Sequence, residues 1–395
     1  MKQYLIIGNG VAGTTAAEHI RKRDDTGRII ILTDEKLPFY YRIRLNEYIG
    51  GTLEEQDLVA RKADWYAEKR IELITGTRVI DADPEQQTVR TEDKQQFAYD
   101  RLLLATGSHS YLPPIEGVDK QGVFTLRTVD DARRIIAFAE TREEVVLVGG
   151  GLLGLETGSA LLGKGKKVTV VEFFPRLLPR QLDTKGAERL LQIMKGRGFS
   201  FRLGTSVREI AGDRAVANVH LQKGEILPAE MVIVSAGVRP NLEPAQRLGL
   251  ATDKGIIVDS ALRTSRPEIF AAGDAAQFGD RLYGIWPAAM EQGRAAGTNM
   301  AGGGVIYEGS TPANKLKVAG IDLAAAGEID AENRFASRIE ETDTVYRKFV
   351  IEADHLIGCI MLGDTADFAR MVRAINEQTN IARLKLPDMD RSAGH

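Results

Sequence analysis

Short apolar runs recur along this chain, each followed closely by glycine. The first, Tyr4 to Ile7, leads into Gly8, Gly10 and Gly13; Thr14 to Arg23 then carries a helical pattern, and Arg28 to Leu32 is a second apolar run. Runs this short and this continuously apolar suit strands buried on both faces of a parallel sheet. Strand, tight turn, helix and strand make a complete βαβ unit. The same order returns with Val145 to Val148, the glycines Gly149, Gly151 and Gly154, a helix from about Leu152 to Gly163, and a strand from Lys167 to Val171. Ala17 and Gly158, each four residues past the third glycine of its unit, are small where a helix must lie close to its sheet.

Between and beyond these units the pattern predicts further elements. Pro38 to Gly51 holds Phe39, Tyr40, Tyr41, Arg42, Arg44 and Tyr48, too aromatic for a plain solvent loop and too charged for core. Asp57 to Arg70 reads as an amphipathic helix, Ile71 to Thr75 as a strand, and Val79 to Tyr99 as hairpins around Pro84. A buried strand at Arg101 to Leu104 runs into Ala105-Thr106-Gly107-Ser108, and Met231 to Val234 runs into Ser235-Ala236-Gly237 in the same way. Pro113-Pro114 with Gly117 marks a linker. Helices are predicted over Thr128 to Ala139, Asp183 to Gly198 and Trp286 to Met300, with strands between Ser200 and Gln222. Ile269 to Ala272 reads as a strand, with Gly273 and Asp274 at its C-terminal end, the end that faces the ligand crevice of a doubly wound sheet. From Thr311 the texture changes to shorter alternating strands, Lys315 to Val318, Thr344 to Ile351 and His355 to Met361, closed by a helix at Thr365 to Gln378.

The two glycine turns carry the chemistry. In G-x-G-x-x-G the first glycine permits the turn, the second lets backbone approach a pyrophosphate, and the third lets helix and strand pack closely. The helix N-terminus that follows each turn offers backbone N–H groups and a partial positive charge to phosphates. Asp34 and Glu35 follow the first unit and Glu172 the second, at the distance where a carboxylate accepts ribose hydroxyls. Two such fingerprints, each with its terminal acid, are far more specific than one.

Composition narrows the alternatives. The 395 residues carry 52 Lys and Arg against 55 Asp and Glu, a net charge of −3, and no basic stripe interleaved with aromatics, so no nucleic-acid partner is expected. One cysteine, Cys359, excludes an intrachain disulfide, and five scattered histidines give no metal-ligand spacing. No apolar run approaches the ~18 residues that span a bilayer. The positive, small-residue-rich start accounts for its glycines better as a phosphate turn than as a leader, and a cytoplasmic location is expected.

Taken together, the two fingerprints, Ala105-Thr106-Gly107, Ser235-Ala236-Gly237 and Thr264 followed by Ile269-Phe270-Ala271-Ala272-Gly273-Asp274 resemble the FAD-dependent pyridine nucleotide-disulfide oxidoreductase superfamily. Pro38 to Leu45 and Lys315 to Gly320 are similar to NADH:rubredoxin oxidoreductases and to the NADH/FAD part of nitrite reductase large subunits. The resemblance covers essentially the whole chain. It implies an α/β fold: two Rossmann-like (three-layer ββα) dinucleotide-binding domains, the NADH domain inserted in the FAD domain, plus a small α+β C-terminal domain. The expected boundaries are 1–110 with 240–310 for FAD, 111–239 for NADH and 311–395 for the C-terminal interface domain. By the same resemblance Gly8, Gly10, Val11, Ala12, Gly13, Asp34, Glu35, Ala105, Thr106, Gly107, Gly273 and Asp274 hold FAD. Gly149, Gly151, Leu152, Leu153, Gly154, Glu172, Ala236 and Gly237 hold NADH, Glu156 lies near the nicotinamide, and Arg42 and Lys317 are candidates for the flavin edge.

The departures from that pattern matter as much. No cysteine precedes Cys359, which argues against disulfide, coenzyme A disulfide and cysteine-based peroxidase chemistry. Where ferredoxin-reductase relatives often carry a lysine that pairs with the glutamate at the Glu156 position, this chain reads Asn46-Glu47. The activity expected is hydride transfer from NADH to FAD, then electron transfer to a small electron-carrier protein such as rubredoxin. An NADH oxidase or diaphorase using oxygen or small acceptors, and a flavin-based redox sensor, stay open, as does a homodimer. Glu172 favours NADH over NADPH, because a carboxylate repels a 2′-phosphate.

Overall fold

The computed structural model describes residues 1–311, 313–318, 320–342, 344–384 and 386. Ala319, within the Lys315 to Gly320 motif, and 387–395 of the expected C-terminal domain lie outside the described residues. In chain order the elements that matter here begin with β1 (Gln3–Ile7), α1 (Val11–Arg23), β2 (Arg28–Leu32), α2 (Leu45–Gly50), β3 (Ile71–Ile74) and β4 (Arg101–Leu104). Next come β5 (Val123–Phe124), α3 (Val129–Ala139), β6 (Glu144–Val148), α4 (Leu152–Gly163), β7 (Lys167–Glu172), α5 (Thr184–Gly196), β8 (Ser200–Leu203) and β9 (Met231–Val234). The remainder are β10 (Ile269–Ala271), α6 (Trp286–Met300), β11 (Ala313–Val318), β12 (Ile321–Gly327), β13 (Ala336–Glu341), β14 (Tyr346–Glu352), β15 (His355–Leu362) and α7 (Phe368–Asn376).

Contacts divide the chain into two compact units. The first comprises Met1–Arg44, Leu53–His109 and Val238–Ser310. Its core is a parallel sheet in the order β10-β4-β1-β2-β3, in which Leu5, Ile6, Ile31, Leu103 and Phe270 are almost wholly buried. Helix α1 packs against α6 at backbone distance. A methyl group on Gly293 would sit 2.5 Å from the Ala12 carbonyl oxygen, and one on Gly297 would sit 2.3 Å from that of Ala16. Small residues on both helices are therefore required, and they bring the loop after β10 to the start of α1.

The second unit comprises Leu45–Thr52, Ser110–Gly237 and the chain from Thr311 onward. It contains a second parallel sheet, β8-β7-β6-β9-β5, and an antiparallel sheet, β11-β12-β15-β14-β13, covered by α7. Helix α3 starts at a capping box: the Asp131 N–H donates to Thr128 Oγ1 (3.2 Å) and the Thr128 N–H to Asp131 Oδ2 (2.9 Å). Asp183 caps α5 through the Gly186 N–H at 2.9 Å. The same carboxylate receives the Tyr346 hydroxyl at 2.7 Å and lies 3.4 Å from Lys348 Nζ. Lys348 is fully buried and also donates to the Asp330 carbonyl (2.7 Å) and to Asn333 Oδ1 (3.0 Å). This buried polar network ties the start of α5 to the antiparallel sheet.

One predicted helix is corrected. Asp57 to Arg70 is two short helices, Glu55–Leu58 and Ala63–Glu68. The chain between them is extended because its backbone pairs with the aromatic segment: the Ala60 N–H donates to the Phe39 carbonyl and the Tyr41 N–H to that of Leu58, at 2.8 and 2.9 Å. Pro38 to Gly51 is likewise no open loop, since it ends in α2. Phe39 and Tyr40 are buried, whereas Tyr41 stacks on Trp286 with ring centroids 5.9 Å apart.

Candidate functional site

The first unit gathers its predicted residues at the C-terminal end of β1. Gly8 has φ +110°, and a Cβ there would lie 2.1 Å from the Ala105 carbonyl oxygen, so only glycine permits the turn. A Cβ on Gly13 would lie 2.0 Å from the Gly8 carbonyl, which fixes the helix start against the turn. Gly10 differs: nothing stands within 4 Å of the position a Cβ would take, so its backbone faces open space. Gly10 is the N-cap of α1 and supplies no side chain to the first-turn N–H groups. Beside it, Asn9 is buried with its Nδ2 unpaired, while its Oδ1 accepts from the Tyr66 hydroxyl at 3.1 Å. Unfilled space, uncapped helix N–H groups and a buried orphan donor fit an anionic ligand.

Two further segments complete this cluster. Asp274, in the short turn after β10, accepts from Ser108 Oγ at 2.7 Å, and a Cβ on the neighbouring Gly273 would sit 3.1 Å from the Ala12 Cβ. Thr106 and Asn241 clasp each other, Thr106 Oγ1 donating to the Asn241 carbonyl and Asn241 Nδ2 to the Thr106 carbonyl, both at 2.8 Å. Glu35 is approached by the Tyr40 hydroxyl and by Arg42 Nη2, each at 2.5 Å. Arg42, a flavin-edge candidate, is thus engaged with the terminal acid of the first fingerprint, and the charge of Asp274 also acts on it. Asp34 is exposed.

The second unit repeats the arrangement. Gly149 has φ +112°, and its Cβ would lie 2.3 Å from the Ser235 carbonyl oxygen; Gly154 closes on Gly149, and Gly151 again faces open space as the N-cap of α4. Glu172 is buried, with Oε2 accepting the Gly150 N–H (2.6 Å) and Oε1 the Phe174 N–H (2.8 Å). Those bonds orient the carboxylate at the mouth of the glycine turn and leave it acceptor capacity. Phe173 and Phe174 beside it are exposed and meet edge to face at 5.4 Å.

Glu156, on α4, is held by a residue that precedes it by 110 positions. Asn46 on α2 donates from Nδ2 to Glu156 Oε2 at 3.0 Å, and its Oδ1 receives the Thr157 hydroxyl at 2.8 Å. Burial pushes the Glu156 carboxyl up to about 7, the Asn46 hydrogen bond works against that, and the Glu47 charge adds to it. Lys317 lies on β11 of this unit with an exposed side chain. Cys359 is buried in the antiparallel sheet, and burial pushes its thiol up to about 12. Among the described residues no group of three or more candidate metal ligands occurs, and no helix is long and apolar enough to cross a membrane.

Residues 2–293 match the family described as pyridine nucleotide-disulphide oxidoreductase. The chain belongs to that family. Residues 312–379 match the rubredoxin NAD+ reductase C-terminal domain. The assimilatory nitrate reductase electron transfer subunit of Bacillus subtilis is 35% identical over 97% of the chain and 50% of its own length. The NADH-rubredoxin oxidoreductase of Clostridium acetobutylicum is 28% identical over 98% of the chain and 97% of its own length. Among solved structures, a putidaredoxin reductase in covalent complex with putidaredoxin has a TM-score of 0.87 and 27% identity, covering 95% of this chain and 93% of that one. The chain spans half or less of the length of the nitrate and nitrite reductase relatives it matches. Members of the family use flavin and nicotinamide cofactors.

Residues beyond the expected set also enter both clusters. Asn9 was visible as the first variable position of G-x-G-x-x-G but carries no motif of its own. Ser108 and Asn241 adjoin predicted motifs. Asn46 was marked only through the resemblance, at the place where relatives carry a lysine that pairs with the Glu156-position glutamate, and Thr157 had no signal, since the meeting of the two depends on α2 packing against α4.

Proposed function

We propose that this chain is a flavoprotein NADH:acceptor oxidoreductase that passes hydride from NADH to FAD and then electrons to a small redox protein such as rubredoxin. The observation that carries the reading is the duplicated cradle: two glycine turns, each with its second glycine facing open space and its terminal acid pre-oriented by hydrogen bonds. FAD is assigned to Gly8–Gly13, Glu35, Ala105–Gly107, Gly273 and Asp274, and NADH to Gly149–Gly154, Glu156, Glu172, Ala236 and Gly237. On that assignment the FAD domain is 1–110 with 240–310, the NADH domain 111–239, and the C-terminal domain begins at 311.

The flavin supplies the chemistry of accepting a hydride and releasing electrons to an acceptor. The residues of the chain bind and orient. The N–H groups at the start of α1 receive the pyrophosphate, Glu35 accepts ribose hydroxyls, and Asp274, held by Ser108, receives the ribityl chain. Glu172 does for the NADH ribose what Glu35 does for that of FAD, and its charge disfavours a 2′-phosphate. A thiol relay plays no part, because Cys359 is buried and protonated at neutral pH. The acceptor assignment is supported by the matched C-terminal domain and by the rubredoxin- and putidaredoxin-linked relatives.

The test is to purify the chain, identify bound flavin by its spectrum, titrate it anaerobically with NADH, and add rubredoxin. Multiple rapid turnovers with rubredoxin and slow reaction with oxygen are expected. A colourless protein that binds no flavin sinks the proposal, and fast oxygen consumption without rubredoxin turnover replaces the acceptor.

A further inference from the structure

A half-buried carboxyl on a helix usually finds a cation or turns to water. Among the described residues Glu156 meets no cation: its partner is the amide of Asn46, which is 9% exposed and fixed from behind by Thr157. The charges and titratable groups on neighbouring elements are few. Helix α4 packs against α2, β6, β7 and β11. Of these α2 carries Glu47 and Tyr48, β6 carries Glu144, β7 carries Lys167 and Glu172, and β11 carries Lys315 and Lys317. Glu47, itself an acid, is the one whose charge is felt at Glu156.

An amide can serve both protonation states of a carboxyl, which a lysine cannot. With Glu156 ionised, Asn46 Nδ2 donates to it while Asn46 Oδ1 accepts from the Thr157 hydroxyl. With Glu156 protonated, the amide can turn over: Oδ1 accepts from the carboxylic acid and Nδ2 donates to Thr157 Oγ1. The Thr157 hydroxyl has a second acceptor ready for that arrangement in the Leu153 carbonyl, 2.7 Å away. Each donor finds an acceptor in both states, whereas an ammonium group has three donors and no acceptor and would hold the carboxylate ionised.

We propose that Asn46 is a positioning residue that holds Glu156 through a neutral, reversible hydrogen bond, so that the ionisable carboxyl favours the cationic, oxidised nicotinamide ring over the neutral, reduced one. This rests on the reading of Gly149–Gly154 as the dinucleotide cradle with Glu156 at the nicotinamide. Burial places the titration of Glu156 at about 7, inside the working range. Below that pH the carboxyl is neutral and both rings meet an uncharged neighbour. Above it the anion attracts NAD+ and leaves NADH unaffected. Binding of NAD+ in the acidic range therefore releases a proton.

The experiment measures dissociation constants for NAD+ and NADH on the flavin-loaded protein from pH 6 to 8, with proton release read by calorimetry in buffers of different ionisation enthalpy. If the ring lowers the Glu156 pKa by about one unit, NAD+ binding tightens about fivefold across that range while NADH changes less than about twofold. Glu156→Gln flattens the NAD+ profile. Asn46→Lys also flattens it, by keeping the carboxylate ionised throughout, and Asn46→Leu moves the midpoint upward by removing the donor to the anion. A flat NAD+ profile in the unmodified protein, or an unchanged midpoint in both Asn46 variants, overturns the inference. If neither dinucleotide binds saturably, or Gly151→Ala weakens neither, the underlying reading of the cradle has failed instead.

Discussion

The two kinds of glycine in each turn give a sharp test, because one is required by the fold and the other by the ligand. Gly10→Ala places a methyl group where no atom stands within 4 Å, on a residue whose φ of −79° any amino acid adopts. Loss of glycine from an N-cap costs some tenths of a kcal/mol, and the reduced freedom of the unfolded chain returns about 0.4–1 kcal/mol, so the apoprotein changes little. The expected shift in its melting temperature is below about 3 °C. The ligand feels a different effect, since the methyl occupies the space through which the backbone approaches a pyrophosphate. A methyl overlapping a close hydrogen-bonded contact forfeits at least one charge-assisted bond, about 1.5–3 kcal/mol, or roughly ten- to a hundredfold in flavin affinity. Gly8→Ala is the contrast: a Cβ 2.1 Å from the Ala105 oxygen at φ +110° disrupts the turn itself and lowers the yield of folded protein. The assay pairs flavin content after purification with thermal unfolding of the flavin-stripped protein. Gly10→Ala retaining its full flavin at unchanged affinity would refute the reasoning.

Further outcomes follow from other contacts. Glu172→Gln removes the charge that repels a 2′-phosphate, and the NADH-over-NADPH preference in KM should fall about tenfold or more; an unchanged ratio means Glu172 does not face the ribose. Lys348→Met strands the buried Asp330 and Asp183 carboxylates and should cost about 3–5 kcal/mol in urea unfolding, against about 1 kcal/mol for Tyr346→Phe; equal small losses would show that the network contributes little. Cys359 should resist alkylation in the folded protein at neutral pH, and Cys359→Ala should turn over rubredoxin as the unmodified protein does; rapid labelling would contradict its burial.

What the sequence revealed divides along the range of the interactions involved. Both fingerprints were legible because a tight turn between a buried strand and a helix imposes glycine locally, and Gly8 and Gly149 have nearly the same φ, +110° and +112°. The capped helices were legible for the same reason, as Thr128 and Asp183 sit at the starts they signal. The predicted helix from Asp57 to Arg70 failed where a distant segment intervened: Phe39 and Tyr41 offer backbone partners that helical propensity over Val59 to Lys62 does not outweigh. Strands β12 and β13, with the sequences IDLAAAG and ASRIEE, escaped notice because few of their residues favour strands and only their sheet neighbours define them. For the clasp of Asn46 on Glu156, the resemblance indicated the neighbourhood, but expected Glu156 to lack a partner there because the lysine is absent. The residues around Asn46 carry no periodicity or motif of their own that assigns α2 to the second unit.

That membership of α2 has a consequence for biosynthesis. The chain passes from one unit to the other after residues 44, 52, 109, 237 and 310, so neither unit is a continuous stretch that could be cut out or folded as it emerges. The glycine turn at Gly8 is translated well before Asp274 and the Gly293–Gly297 face that packs on α1. During that interval β4 lacks its sheet neighbour β10, and α1 lacks the helix α6 that covers it. Termination upstream of Asp274 should therefore yield not a smaller working domain but a fragment whose first unit is unfinished.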